Sequence, residues 1–148
     1  MKVSIGCDHG GYDLKEKVKA HLIEKGIEVV DFGTNDLSSC DYPDFGIEAA
    51  KAVANNEVDK GIVICTTGIG ISIAANKVKG IRCALCSDLT SARLTREHND
   101  ANVLALGAAI IGHLVALDIV DVFLSTDFSG LTKHSRRKEK IKAQEENF

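Results

Sequence analysis

The chain has 148 residues, 45% of them hydrophobic and 26% charged, and a formal net charge of −3. This length and balance predict one globular domain that buries a core without disulfide staples. The weakly acidic charge gives no general reason to bind nucleic acid or a membrane surface, and no apolar run approaches the roughly 20 residues of a membrane helix. Five cysteines without a secretory leader predict free thiols in a cytoplasmic protein.

Short apolar segments alternate with helical patterns along the chain. The first half predicts strands at 3–7 and 27–31, a helix at 12–25 that Gly26 ends, and a helix at 45–54 introduced by Tyr42-Pro43-Asp44. The second half predicts strands at 61–65, 82–86 and 103–106, helices at 71–76, 89–98 and 111–124, and a last charged helix at about 134–148. Ser87-Asp88 is placed to cap the helix at 89–98.

This alternation predicts right-handed βαβ units. The expected fold is a Rossmann-like three-layer α/β/α sandwich with a five-stranded parallel sheet, formed by a single domain over residues 1–148. Ligands in such sheets bind at the carboxyl ends of the strands. We therefore expect Asp8-His9, residues 65–70 and Ser87-Asp88 to lie along one edge of the sheet.

Residues 61–77 combine a strand, a glycine-rich turn and the start of a helix. The β-branched run at 61–65 is typical of a strand buried on both faces, and Cys65 ends it. Unpaired N–H groups and the helix dipole make such a turn suitable for binding an anion. The pKa of a thiol falls from about 8.5 near a helix N-terminus. Cys65 is therefore the first candidate for a catalytic group, although a cysteine ending a buried strand is more often a small core residue.

Three better-known motifs do not fit this turn. A dinucleotide fingerprint needs G-x-G-x-x-G, and the third glycine is missing after Gly68-Ile69-Gly70. A Walker A loop needs Gly-Lys-Ser/Thr after the glycines, which is also missing. A cysteine-dependent phosphatase would need an arginine six residues after the cysteine, where Ile71 stands. The remaining chemistry is acid–base catalysis on a small anionic substrate.

Two further patterns have plain structural interpretations. Cys83 and Cys86 have CxxC spacing, but three residues apart on a strand their side chains point to opposite faces, so we expect buried core thiols rather than a metal or redox pair. The cationic last helix is typical of a solvated face. No aromatic residues interleave with its charges, which disfavours binding to nucleic acid.

Four motifs carry a family resemblance. They are Cys7-Asp8-His9-Gly10-Gly11-Tyr12, Asp41-Tyr42-Pro43, Cys65-Thr66-Thr67-Gly68-Ile69-Gly70 with Ile73-Ala74-Ala75-Asn76-Lys77, and Arg96-Glu97-His98-Asn99-Asp100-Ala101-Asn102. In order and spacing they resemble the type B ribose-5-phosphate isomerases, a family that includes the galactose-6-phosphate isomerase subunits. The resemblance covers essentially the whole chain. It implies an aldose–ketose isomerase of the pentose phosphate pathway without metal or cofactor, a homodimer or homotetramer whose active sites are each shared between two subunits. The last helix would pack on a partner subunit.

The resemblance also implies roles for matching residues. Cys65 would be the base that interconverts ribose 5-phosphate and ribulose 5-phosphate through a cis-enediolate. His98 would open the sugar ring, with Asn99 as its hydrogen-bond partner. Thr67 and the amides of residues 68–70 would stabilise the oxyanion, with about 3 kcal/mol for each donor. His9, Lys133 and Arg137 would bind the phosphate. The full set of implied substrate-binding positions is Asp8, His9, Tyr42, Thr66, Gly68, Ile69, Gly70, Asn99, Lys133 and Arg137.

Three positions depart from the family pattern. Thr66 stands where glycine or serine is usual, Lys133 replaces an arginine and loses its bidentate fork, and Ala109 stands where many members carry arginine. These changes keep open a six-carbon substrate such as allose or galactose 6-phosphate, whereas the His98-Asn99 pair favours the five-carbon one. A non-catalytic module that binds a sugar phosphate or nucleotide is a further alternative, since a fold does not fix a function.

Overall fold

The computed structural model describes residues 1–147, so Phe148, the end of the predicted last helix, lies outside the described residues. The strands are β1 (Lys2–Cys7), β2 (Glu28–Asp31), β3 (Lys60–Cys65), β4 (Cys83–Leu85) and β5 (Val103–Gly107). The helices are α1 (Tyr12–Glu24), α2 (Tyr42–Ala54), α3 (Ile69–Ala75), α4 (Leu89–Asn99), α5 (His113–Ser125) and α6 (Thr132–Glu145), with a 3-10 turn at His9–Gly11 before α1. Within residues 1–147, none of the helices combines the length and the apolar character needed to cross a lipid bilayer.

The five strands form one parallel sheet in the order β2-β1-β3-β5-β4, with Cys65 of β3 paired to Gly107 of β5. The predicted Rossmann-like fold class is therefore confirmed. From β1 the chain moves outward to β2. From β3, on the other side, it crosses to β4 at the far edge and then returns to β5, which lies between β3 and β4. The strand order thus reverses between β1 and β3. In doubly wound sheets this reversal, at the carboxyl ends of the strands, is where ligands bind.

Helices cover both faces of the sheet. On one face α1, α4 and α5 pack their apolar side chains, among them Leu22 and Phe123, against the strands. On the other face α2 and α3 do the same, with Ile71 at the centre of the contact. Because successive strand residues point to opposite faces, Ile64 faces the first layer and Cys65 the second.

Three helices begin earlier than the sequence pattern predicts, among them α6 at Thr132 instead of about residue 134, and α5 begins later, at His113 instead of residue 111. The second helix starts at Tyr42 instead of residue 45, because a proline such as Pro43 fits the first turn of a helix, where its missing N–H has no intrahelical partner. The third starts at Ile69 instead of residue 71. Gly68 precedes it in the left-handed region with φ of +76°, which lets the chain turn directly from the loop into the helix.

The thiols with CxxC spacing lie on opposite faces, as predicted. Cys86 is 2% exposed and packs in the first layer, whereas Cys83 packs against the second. The prediction of two fully buried thiols is wrong for Cys83, which is only half-buried because β4 is an edge strand. Burial raises the pKa of Cys83 to about 12 and that of Cys86 to about 11, so both thiols are protonated at neutral pH.

Candidate active site

The carboxyl ends of β1 and β3 carry the first group of candidate site residues. Asp8 and His9 follow β1, and residues 65–70 follow β3. The two loops touch, since the Thr66 side chain fills the space beside Gly10 that a Cβ would need. We call this group the cysteine half-site: Asp8, His9, Tyr42, Cys65, Thr66, Thr67, Gly68, Ile69 and Gly70.

Cys65 lies at the base of this half-site and is 4% exposed. Its Sγ accepts a hydrogen bond from the Gly68 amide at 3.1 Å. An N–H donor aimed at sulfur stabilises the thiolate, which is the form that can accept a proton. Burial raises the pKa of Cys7, which ends β1, to about 12, despite an opposing effect of Lys15, and keeps Cys7 a thiol. Cys65 therefore combines a strand-end position with a hydrogen-bond donor to sulfur.

The loop after Cys65 is tightly constrained. A Cβ on Gly68 would lie 2.8 Å from the carbonyl carbon of Leu106, and one on Gly70 would lie 2.6 Å from Cζ of Tyr42, whose ring packs on the loop. The Gly68 amide is bound to sulfur, and the Ile69 amide donates to Thr67 Oγ1 at 3.2 Å. Of the three loop amides predicted to bind an oxyanion, only that of Gly70 lacks an acceptor within residues 1–147.

Asp8 and His9 are both fixed by backbone amides. Asp8 is 6% exposed and its Oδ1 accepts from the Gly11 amide at 3.1 Å, so this carboxylate caps the 3-10 turn. His9 Nδ1 accepts from the Cys40 amide at 3.2 Å. Since Nδ1 is an acceptor, the proton of a neutral His9 ring is on Nε2. That arrangement leaves an N–H on Nε2 to donate to an anionic ligand.

His98 and Asn99 lie at the opposite side of the sheet from Cys65, near the amino ends of the strands. They end α4, which returns from the carboxyl end of β4 to the amino end of β5. The His98 ring centroid is 4.4 Å from that of His134 on α6, and Lys133 and Arg137 flank His134 on that helix. We call His98, Asn99, Lys133 and Arg137 the histidine half-site.

The two half-sites of one chain are far apart. Cys65 is the last of six residues in β3, a strand length of about 20 Å, whereas α4 ends beside the amino end of β3 and β5, where the Asn102 carbonyl accepts from the Gly61 amide. Asp88, like Cys65, lies at the carboxyl ends of the strands. Its Oδ1 accepts a hydrogen bond from the Ser91 amide at 2.7 Å, so Asp88 caps α4, as predicted. A ligand at Cys65 therefore does not reach His98 of the same chain.

A carboxylate without a predicted role organises the histidine half-site. Asp100 follows His98-Asn99 with φ of +49°, and it accepts hydrogen bonds from Arg96 at 2.9 Å and Lys138 at 3.0 Å. Burial alone would raise the pKa of Asp100, but these bonds and charges lower it below its usual range. No local sequence pattern indicates this role, because Lys138 is distant in the chain. Asp100 holds the end of α4 that carries His98.

The fold is that of a doubly wound α/β protein, with a thiol-containing candidate site at the reversal of strand order. A family model described as Ribose/Galactose Isomerase matches residues 3–141. The chain belongs to this family.

Relatives of known name cover nearly the whole chain. It is 50% identical to ribose-5-phosphate isomerase B of Escherichia coli (strain K12) over 145 residues, 98% of this chain and 97% of the relative. It is 48% identical to galactose-6-phosphate isomerase subunit LacB of Clostridium acetobutylicum over 128 residues, 86% of this chain and 74% of that one. The solved structure of Clostridium thermocellum ribose-5-phosphate isomerase B matches with a TM-score of 0.98 and 54% identity, over 99% of both chains.

Proposed function

We propose that this chain is an aldose–ketose isomerase that interconverts ribose 5-phosphate and ribulose 5-phosphate in the cytoplasm. The observation that carries the proposal is the Cys65 thiol at the reversal of strand order, with the Gly68 amide donating to its sulfur. Membership of the family supports the reaction class. The names of the Escherichia coli and Clostridium thermocellum relatives support the five-carbon substrate.

In the proposed mechanism Cys65 acts as a thiolate. It takes the proton from C2 of the open-chain aldose, and the electron pair shifts onto the carbonyl oxygen on C1, which gives a cis-enediolate. That oxygen then gains a proton. Return of a proton to C1 and loss of the O2 proton give the ketose. The Gly70 amide and the Thr67 hydroxyl would stabilise the charge that develops on oxygen, which is supported by the absence of an acceptor for the Gly70 amide within residues 1–147. Asp8 Oδ2, which is not used in capping, is available to a substrate hydroxyl, and Tyr42 borders the pocket.

We further propose that each complete site combines the cysteine half-site of one subunit with the histidine half-site of another. His98 would then open the ring beside Asn99, and Lys133 and Arg137 would join His9 of the other subunit on the phosphate. A symmetric dimer forms two such sites across its axis, and a tetramer could combine two dimers. Exposed apolar side chains in and next to the cysteine half-site support an interface there, because Ile69 is 53% exposed and Ile73 is 56% exposed.

The packing of the last helix on a partner subunit stays a prediction. Within its own chain α6 is attached through His134, which contacts His98, and through Lys138, which donates to Asp100 at 3.0 Å. Ile141 on the same helix is 50% exposed and could contact a second copy.

Isomerisation of a six-carbon sugar phosphate is the second candidate function, and a specific observation favours it. Ala109 lines a cavity of about 350 Å³ beside the cysteine half-site, together with Gly10, Lys17 and His113. Its amide donates to the Thr66 carbonyl at 2.9 Å, so the backbone of Ala109 is bound directly to the loop after Cys65. An arginine there would fill this space. The small residue could admit a longer substrate, and the LacB subunit is a relative.

Turnover of three sugar phosphates distinguishes these functions. We expect kcat/KM for ribose 5-phosphate to exceed those for allose and galactose 6-phosphates by at least about 10-fold, the discrimination typical of one additional carbon unit. The measurement is the initial rate of ketose formation at matched enzyme concentrations. Faster turnover of a six-carbon substrate would support the second candidate. Tight binding of sugar phosphates without turnover of any of them would show a binding module.

Mixing two inactive variants tests the shared site. Co-expressed Cys65→Ala and His98→Ala chains should recover about a quarter of wild-type turnover, because half of the randomly formed dimers contain one intact site of two. The matched control mixes Cys65→Ala with Asp8→Asn, which damages the same half-site, and should recover nothing. Light scattering checks the assembly. A monomer with full activity, or no recovery in the first mixture, would refute the two-subunit site.

A further inference from the structure

His134 is the buried residue of α6 among its described positions, and it has no role in the mechanism above. Its side chain is 6% exposed, and its ring lies against the exposed ring of His98 with 4.4 Å between centroids and 36° between planes. An apolar residue would suit a position that only needs apolar packing better than histidine does, because histidine brings two polar ring atoms into the contact. The geometry therefore indicates a use for those atoms.

Ser129 holds the His134 ring in place. Its Oγ lies 2.7 Å from His134 Nδ1 and accepts from the Leu131 amide at 3.2 Å. The Ser129 hydroxyl can donate to Nδ1 or accept from it, so this contact holds the His134 ring in either tautomer. The Ser129 amide in turn donates to the Glu97 carbonyl at 3.1 Å. The serine thus connects His134 to the residue that precedes His98.

Burial and the nearby charges together lower the pKa of His134, which favours its neutral form. Burial lowers its pKa most, and the nearby His98, Lys133 and Arg137 lower it further, while Glu97 acts in the opposite direction. A neutral ring contributes no repulsion when His98 carries a proton. It can therefore fix the plane of His98 without opposing its protonation.

We propose that His134, held by Ser129, is a positioning residue that orients His98 for opening the sugar ring. In that step the bond from C1 to the ring oxygen breaks, the ring oxygen keeps the electron pair and takes a proton from His98. The anomeric hydroxyl loses its proton to water as the C1 carbonyl forms. This inference rests on the proposed function, since the orientation of His98 matters only for a substrate whose sugar ring must open.

Two readouts separate ring opening from the enediolate step. Ribose 5-phosphate is mostly a closed ring, whereas ribulose 5-phosphate is an open chain, because its C5 oxygen carries the phosphate. In D2O, exchange of deuterium into C1 of ribulose 5-phosphate therefore reports on Cys65 chemistry without ring opening. A residue that acts only through His98 should affect turnover of the aldose and leave this exchange unchanged.

The experiment compares His134→Ala, His134→Phe and Ser129→Ala with the wild type. We expect His134→Ala to lower kcat/KM for ribose 5-phosphate by about 10-fold, a loss within the range that misplacement of a reacting group produces. The rate of deuterium exchange into ribulose 5-phosphate should stay within about twofold of the wild-type rate. His134→Phe keeps a ring plane but loses the hydrogen bond to Ser129, so it and Ser129→Ala should each lose several-fold in kcat/KM, less than His134→Ala. Arg136→Ala, on an exposed position of α6, is the control and should change neither readout.

The outcomes are distinct. Equal losses of turnover and exchange in His134→Ala would show a general structural role and overturn the proposal. So would a His134→Phe variant that folds, by circular dichroism, and is as slow as His134→Ala. If His134→Ala does not fold, His134→Phe and Ser129→Ala decide on the same two readouts. A wild type with neither turnover nor exchange would instead refute the proposed function.

Discussion

Replacing Cys65 with alanine should lower turnover of ribose 5-phosphate by about 10²–10⁴-fold, the contribution of a positioned general base. The fold should survive, because Cys65 is a small buried side chain and its loss removes one sulfur atom from an apolar contact. We expect a cost of about 1 kcal/mol in the free energy of unfolding. The measurements are kcat, deuterium exchange into ribulose 5-phosphate and a urea unfolding curve.

The matched control is Cys86→Ala. This thiol is 2% exposed and its pKa is raised to about 11, so the substitution removes the same atom from the core but no base. Turnover should stay near the wild-type value. Iodoacetamide should inactivate the wild type, and substrate should protect it. A Cys65→Ala enzyme that keeps most of its rate would place the base elsewhere, and equal losses in both variants would attribute the effect to packing.

The sequence was sufficient to predict most of the fold because the relevant signals are local. Buried strands such as β3 are continuous β-branched runs, and glycine or proline marks several helix ends, as Gly26 and Pro43 do. Parallel strands with alternating helices then leave few topologies. The position of Asp8 beside the loop of Cys65 follows from the same rule, since both follow neighbouring strands at the carboxyl edge.

The rest of the candidate site depends on contacts between distant segments. His98 meets His134 across 36 positions of sequence, and Asp100 is bound by Lys138, which the sequence presents only as part of a charged helix. Lys15 is similar. It stands between the apolar residues Leu14 and Val18 of α1, where a lysine is normally expected to extend into solvent, yet it is fully buried. Burial of a charge depends on its partners, and no periodicity reveals them.

Replacing Lys15 with methionine should destabilise the fold by about 3 kcal/mol, because removing one member of a buried ion pair leaves the other charge incompletely compensated. Lys15 Nζ donates to Asp31 Oδ2 at 2.9 Å and to the Thr34 carbonyl at 2.6 Å. Asp31 keeps Lys19 at 3.0 Å and the Gly33 amide at 2.8 Å, which places the cost at the lower end of the usual range. Urea unfolding at fixed protein concentration measures it.

The control for this prediction is Lys19→Met, which removes the more exposed partner of the same carboxylate. Its side chain is 34% exposed, and we expect a cost below about 1 kcal/mol. Burial opposes the shift, but hydrogen bonds from Lys15, Gly33 and Lys19 lower the pKa of Asp31. The contribution of the Asp31 carboxylate to stability is therefore complete above the ordinary aspartate pKa of about 3.9. It is lost as pH falls through the lower pKa that Asp31 has in the folded protein. The difference in the free energy of unfolding between wild type and Lys15→Met should become smaller below about pH 4.

The same variant should also change substrate binding. Lys15 holds the Thr34 carbonyl at the start of the segment that ends at Cys40, whose amide fixes the His9 ring. Loosening this segment should raise KM for ribose 5-phosphate several-fold with a smaller change in kcat, while Lys19→Met leaves both near wild type. A Lys15→Met enzyme with wild-type stability and KM would contradict the prediction. Two backbone hydrogen bonds, from the Cys7 amide to the Gly33 carbonyl and from the Thr34 amide to the Cys7 carbonyl, would then be enough to hold the segment in place.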